Sequence, residues 1–338
     1  AAAPEGSFVV PNVTMEFNAA PAAASTSDDN NTFRETIGAP AEGGTGITVA
    51  VIDTGVDASA DIDVSEHVNV SGDRRGDGLG HGTFMAGLVA GDDTQYGGVA
   101  PGAQVLDVQV ADRDGNTDLA RVLAGLQAVA DHRAEAPALD VAMLALSRPS
   151  LLPPWLDPST RGLDRLWARG VTVVVASGND GDDSVSSPAT DPVLLVAGSQ
   201  DEADTVARGD DTVPDFSSYG KAYGEVRPDI VAPGVSLIST AAPGSQAYLE
   251  NPGSRVGDDF LKGTGTSMSA AVTAGALAAL LAQRPDLTPD QAKALLVDTA
   301  YRTSGLRAKD GAGNGGLDLA AALTAPVPTV QGNPMDDS

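Results

Sequence analysis

Five short runs rich in Val, Ile, Leu and Ala, at 47–52, 105–110, 141–146, 171–176 and 193–197, alternate along this chain with helical patterns at 81–90, 119–133 and 162–169. Runs of that length, apolar on both sides of the pleat, are strands covered on both faces, as parallel sheets are. Parallel neighbours need a crossover, and a helix supplies it. The alternation therefore predicts an α/β fold, doubly wound, with a mostly parallel central sheet and helices on both faces. The stretch after Asp118 puts Leu119, Val122, Leu123, Leu126 and Val129 on one helical face, a stripe made for packing rather than chemistry. Two later helices, at 266–283 and 289–299, close the domain.

With 338 residues the chain is long enough for two domains, but the unbroken alternation favours one. We expect a folded unit over 32–324, an extension over 1–31 that is flexible or clamped on the surface, and a tail over 325–338. Both ends are rich in Pro and Asp, with Ala and Ser before and Gly after. No internal repeat, heptad run or Gly-rich phosphate loop appears.

Forty-six acidic against 20 basic residues leave a formal charge of −26, which repels nucleic acid and anionic lipid and leaves neutral or cationic peptides as partners. There is no cysteine, so a thiolate nucleophile, a disulfide and a thiolate zinc site are all excluded. The apolar stretch 270–282 is short and rich in Ala, Gly and Thr, so we expect a core helix rather than a membrane span. The chain opens Ala-Ala-Ala-Pro with no apolar leader, which reads as a mature or trimmed product.

Four strings carry chemistry. GTGTSMSA, 263–270, puts Ser267 at the mouth of the apolar helix, where unpaired N–H groups and partial positive charge suit a developing oxyanion. A serine hydroxyl needs a base and a carboxylate to orient it. Only three histidines exist. His81 stands between glycines before a small-residue helix, His67 lies among Ser and Glu in what reads as a loop, and His132 falls at the polar tail of a helix. The strand 47–52 runs straight into Asp53 and a Thr-Gly turn, and ligands bind beyond the carboxyl ends of parallel strands. A second buried strand, 171–176, ends in SGNDG, which offers the Asn179 amide as an oxyanion donor.

Together these strings resemble the subtilisin-like serine peptidases, and Asp53, His81 and Ser267 follow that family's order. GGVAPGAQV from Gly97, FSSYG from Phe216 and RPDIVAPGVSLIST from Arg227 extend the likeness over roughly 33–323. The resemblance implies a three-layer α/β/α fold and a serine endopeptidase. Asp53 would orient, His81 would act as base and then acid, Ser267 as nucleophile and Asn179 as oxyanion donor. It also implies substrate contacts at Ala145, Leu146, Ser147, Ala176, Ser177 and Gly178.

Two departures stand out. Ala271-Val272 replaces the family's Pro-His, and Ser147, followed by Arg148-Pro149, replaces a glycine on the substrate edge, which alters the rim of the specificity pocket. No cofactor is needed for the chemistry. The family allows a structural calcium ion, at no identified site here, since the loop 91–96 is short. The clusters Asp57/Asp61/Asp63, 201–211 and Asp258-Asp259 read as solvated surface without EF-hand spacing. By the same resemblance the protein is a secreted monomer acting on proteins or peptides, made with an inhibitory pro-segment not present in this chain. A precursor-processing peptidase and a peptide-binding pseudoenzyme are the alternatives. The Gly/Pro-rich insert 242–263 is expected as a loop near the cleft mouth.

Overall fold

A computed structural model of the chain describes residues 10–17, 31–58, 60–136, 138–150 and 152–330. The remainder of the expected N-terminal extension, and the end of the tail from 331, lie outside the described residues. In chain order the elements begin with β1 (Thr14–Phe17), α1 (Phe33–Ile37), β2 (Thr48–Asp53), β3 (Val64–Asn69), α2 (His81–Ala90), β4 (Gln104–Gln109), β5 (Thr117–Asp118) and α3 (Leu119–Glu135). They continue with β6 (Leu139–Leu144), β7 (Leu146–Ser147), α4 (Pro158–Trp167), β8 (Thr172–Ala176), β9 (Leu195–Gln200), β10 (Gly220–Ala222), β11 (Glu225–Arg227), β12 (Ile230–Pro233) and β13 (Leu237–Thr240). The last are α5 (Gln246–Glu250), β14 (Arg255–Val256), β15 (Phe260–Gly263), α6 (Thr266–Gln283), α7 (Pro289–Thr299) and α8 (Leu319–Thr324).

Seven strands form one sheet in the order β12-β9-β8-β6-β2-β4-β3, and every neighbouring pair is parallel. The chain leaves β2 to build one side with β3 and β4, then crosses to build the other with β6, β8, β9 and β12. The carboxyl end of β2 therefore sits at the switch point of the sheet, where two crossovers diverge and a crevice opens. Asp53 is the last residue of β2.

Alternation along each strand divides the core into two layers. Val49, Val51, Val141, Met143 and Val174 face α2, α6, α7 and α8, while Ala50, Ile52, Ala142, Leu144 and Val175 face α3 and α4. The stripe read on α3 supplies that second layer with Leu119, Val122, Leu126 and Val129, all buried. Helix α6 is apolar on all sides because it lies in the protein interior. It spans 18 residues, enough by length and composition to cross a membrane, yet it is 89% covered by the rest of the chain. Length is thus not what distinguishes it from a membrane span, contrary to expectation; burial is. Each fully buried Leu of this helix, such as Leu277 and Leu280, contributes roughly 1.5–3 kcal/mol.

Two strands of the seven-stranded sheet, both at its edges, escaped the sequence reading. β3 reads VSEHVN, half-exposed and polar, so His67 lies in a strand rather than a loop, with Nδ1 at 2.7 Å from Asp107 Oδ2. β12 ends at Pro233, which truncates its apolar run. The insert 242–263 is also more ordered than expected. It carries α5, β14 and β15, and β15 pairs antiparallel with β13. Backbone bonds from Gln246 N to Gly78 O (2.8 Å) and Ala247 N to Leu79 O (2.9 Å) fix it against the segment that leads into α2.

One buried acid gives the fold a pH dependence. Asp164 on α4 is 4% exposed, and one of its carboxyl oxygens is buried without a hydrogen-bond partner. Burial first, and the neighbouring Asp191 carboxylate second, push its pKa up to about 7. The folded state then holds a proton that the unfolded chain releases near pH 4, so this stabilisation is lost as pH rises from about 4 to about 7. The expected result is a Tm that falls over that interval, and falls less in Asp164→Asn, by thermal melts at pH 5 and pH 8.

Candidate active site

The crevice gathers three chain segments. β2 delivers Asp53, fully buried, and α2 begins at His81, 6% exposed. His81 Nδ1 lies 2.7 Å from Asp53 Oδ1, which also accepts the Thr54 N–H at 2.8 Å. The imidazole is thereby oriented with Nδ1–H toward the carboxylate and Nε2 away from it. Nε2 is buried and makes no hydrogen bond, so the serine-to-imidazole bond is not formed in this state. Burial favours the neutral ring, but the Asp53 charge and hydrogen bond, with the Asp77 carboxylate behind them, more than offset this and raise the pKa above its usual value near 6.5.

How α2 comes so close to β2 is visible at Gly82. A Cβ there would run into the Gly55 carbonyl oxygen and the backbone of the turn after Asp53, so only glycine lets the two segments touch. The helix start has no side-chain cap of its own, because Gly80 occupies the N-cap. Asp77 supplies one from outside. Its Oδ1 accepts Gly80 N–H (2.6 Å) and Thr54 Oγ1 (2.7 Å), and its Oδ2 accepts Thr83 N–H (2.8 Å) and Thr83 Oγ1 (2.7 Å). Thr54 Oγ1 in turn accepts the Gly82 N–H at 2.8 Å. One buried carboxylate thus fastens the His81 helix to the Asp53 turn.

Asp77 was not singled out in the sequence, although a short acidic residue just ahead of a helix start is a capping signal. Asp77→Asn presents an NH2 group to donors and removes a charge. We expect kcat lower on the order of 10- to 100-fold, KM little changed, and the acid limb of the pH profile moved to lower pH. A fall in Tm with an unmoved limb would make the residue purely structural.

Ser267 is the second residue of α6 and is fully buried. Gly265 at the N-cap gives no side-chain cap, so the first turn is not closed by its own sequence. Asn179 follows Gly178, whose φ of 112° is reached without strain only by glycine. Its Oδ1 accepts from Thr266 N–H and lies within reach of Thr266 Oγ1, both at 3.0 Å. The oxygen end of the amide is thus engaged by the residue before Ser267, and Nδ2 is the end that donates. Thr266, absent from the sequence reading, also holds the Gly178 backbone, whose N–H reaches Thr266 Oγ1 at 3.2 Å.

Ala145, Leu146 and Ser147 run on from the end of β6, and Leu146 and Ser147 form β7. Ser147 and Arg148 line a cavity of about 410 Å³ together with Asp180, Asp183 and Thr190. Arg148 is buried. Its Nη2 meets Asp157 Oδ2 at 2.6 Å. Ala176 ends β8, and Ser177 and Gly178 carry the chain on to Asn179. The crevice also holds something the sequence reading placed elsewhere. β1, from the expected N-terminal extension, lies between β5 and β7 and is antiparallel to both. Phe17 sits against the His81 ring, with centroids 5.1 Å apart and planes tilted by 49°. Val13, Met15 and Phe17 alternate with Asn12, Thr14 and Glu16, a period-2 signal that short length and a Pro-rich context obscured.

Among the described residues no three His, Asp or Glu side chains are grouped to hold a metal ion.

A seven-stranded parallel sheet between two helical layers, with an aspartate, a histidine and a helix-borne serine at the strand ends, defines a subtilisin-like α/β fold. The Subtilase family model, Peptidase S8, matches residues 44–317. This chain belongs to that family. It is 36% identical over 269 residues to serine protease AprX of Bacillus subtilis, a match covering 75% of this chain and 61% of AprX. It is 32% identical over 264 residues to subtilisin BL of Lederbergia lenta, covering 76% of this chain and 84% of that protein. The crystal structure of fervidolysin from Fervidobacterium pennivorans, a keratinolytic enzyme related to subtilisin, superposes with a TM-score of 0.73 at 26% identity. That match covers 94% of this chain and 52% of fervidolysin.

Proposed function

We propose that the chain is a serine endopeptidase that hydrolyses peptide bonds in proteins through an acyl-enzyme. His81 Nε2 takes the Ser267 hydroxyl proton as Oγ attacks the substrate carbonyl. Asn179 Nδ2 and the start of α6 stabilise the oxyanion, and His81 then gives its proton to the departing amine. Water enters, loses a proton to the same nitrogen, and releases the new carboxyl end. The observation that carries this reading is the 2.7 Å Asp53–His81 bond, which fixes the tautomer and leaves Nε2 unengaged in the crevice. Kinship with AprX and subtilisin BL supports it, and favours neither of the narrower alternatives. The same reading makes the protein a monomer acting on protein substrates outside the cell.

Asn179→Ala tests the oxyanion role. We expect kcat to fall about 10²- to 10³-fold with KM nearly unchanged, since the donor acts on charge that exists only in the transition state. A rise in KM at constant kcat would show instead that the amide serves ground-state binding.

A further inference from the structure

The acidic stretch 201–211, expected from its sequence as solvated surface, turns two of its carboxylates inward. Glu202 is 4% exposed and Asp211 is fully buried, while Asp204 and Asp210 of the same stretch face solvent. The backbone is the reason. Asp201 N donates to Thr212 O at 2.9 Å and Thr212 N to Asp201 O at 3.0 Å, an antiparallel bridge just past the end of β9. Residues flanking such a pair point to the opposite face, so Glu202 lies across from Asp211, with Gln200 diagonal to Asp211 on the same side. A distance of 3.4 Å from Gln200 Nε2 to Asp211 Oδ2 fits that placement.

Like charges directly opposite each other destabilise a strand pair. Here they are also buried, and uncompensated. Tyr301 Oη and Gln200 Nε2 donate to Asp211 Oδ2, but Asp211 Oδ1, Glu202 Oε2 and Gln200 Oε1 are buried with no hydrogen-bond partner among the described residues. A proton shared between the two acids would join these oxygens by a hydrogen bond, and none joins them. Arg208, whose charge acts on Asp211, commits its guanidinium to the Tyr301 ring, the Thr36 carbonyl and Asp318. Burial first, and neighbouring carboxylates that include Asp211, hold the Glu202 carboxyl well above the usual range. The pair therefore calls for a countercharge.

We propose that Glu202 and Asp211, with the Gln200 amide oxygen beside them, hold a divalent cation of calcium's kind that closes the loop after β9. Carboxylate and amide oxygens are the hard ligands calcium takes, and backbone carbonyls and water complete its set of about six to eight. The loop ties α1 through Thr205 and Arg208, and the Asp318 cap of α8 through Arg208. Along the sheet β9 is three places from β2, so the ion secures the frame and takes no part at His81.

The test uses the full chain carrying Ser267→Ala, so that self-cleavage does not enter, stripped with EDTA and melted with and without calcium chloride. Calcium at about 100 times its Kd is expected to raise Tm by on the order of 5 °C. Glu202→Gln and Asp211→Asn are each expected to raise the Kd for calcium about tenfold or more. In EDTA both are expected to melt at or above the parent, because the facing charges are gone. Asp204→Asn removes an exposed charge from the same loop and is expected to keep the full calcium shift. Should Asp211→Asn fail to fold by circular dichroism, Glu202→Gln alone carries the comparison. No calcium-dependent shift in the parent, a full shift in the carboxylate variants, or an equal loss in Asp204→Asn would overturn the proposal.

Discussion

Ser267→Ala is expected to lower kcat on a peptide substrate by on the order of 10⁶-fold while the protein keeps its fold. Removing the nucleophile of a serine triad costs about this much, because the triad acts as a unit. The physical reason is that, in the mechanism proposed above, Ser267 is the nucleophile, and it stands at the start of α6. The substitution removes one oxygen from a fully buried site on a helix whose packing is made by other residues. Its cost to stability is therefore small, and activity and Tm separate. Steady-state kinetics beside thermal melts check this, and a residual rate within about tenfold of the parent would remove Ser267 from the mechanism.

Asp53→Asn is expected to cost about 10⁴-fold in kcat near neutral pH, because an amide holds the imidazole in place but no longer favours the tautomer with Nδ1–H, nor the imidazolium formed in the reaction. It also predicts a shift in pH dependence whose sign is fixed. The folded pKa of His81 is raised, and the base must be neutral to act, so activity in the parent is lost as pH falls through a midpoint above about 6.5. Without the Asp53 charge that midpoint moves down. Stability runs the other way. A raised histidine pKa stabilises the fold fully below about 6.5 and loses that contribution as pH rises through the folded value. The Tm difference between parent and Asp53→Asn should thus be largest in acid, where the parent is least active. A midpoint that stays in place after the substitution would mean that another group sets the limb.

The interior strands were legible in the sequence because each is covered on both faces and reads as an unbroken apolar run. β3 and β12 were not, since an edge strand is half solvated and its pattern mixes with polar residues such as Glu66 and His67. Asp53, His81, Asn179 and Ser267 stood out because glycines and helix or strand ends surround them, and local geometry of that kind is written in adjacent residues. Asp77, Thr54 and Thr266 were hidden because their roles come from contacts made only after folding: Thr54 touches Asp77 across 23 positions, and Thr266 meets Asn179 across 87. The burial of Arg148 was hidden for a related reason: its partner Asp157 lies nine positions on and holds the guanidinium inside. β1 was placed with an extension that was flexible or clamped on the surface, because its period-2 pattern is short and its partners lie 100 and more positions away.

The most direct measurement is reaction of the intact protein with a fluorophosphonate, followed by peptide mapping. An activated hydroxyl reacts quickly and ordinary serines do not, so the adduct reports the chemistry itself rather than the fold. The account predicts a single adduct on Ser267, abolished by His81→Ala. An adduct elsewhere, or labelling of Ser267 that persists unchanged without His81, would contradict it.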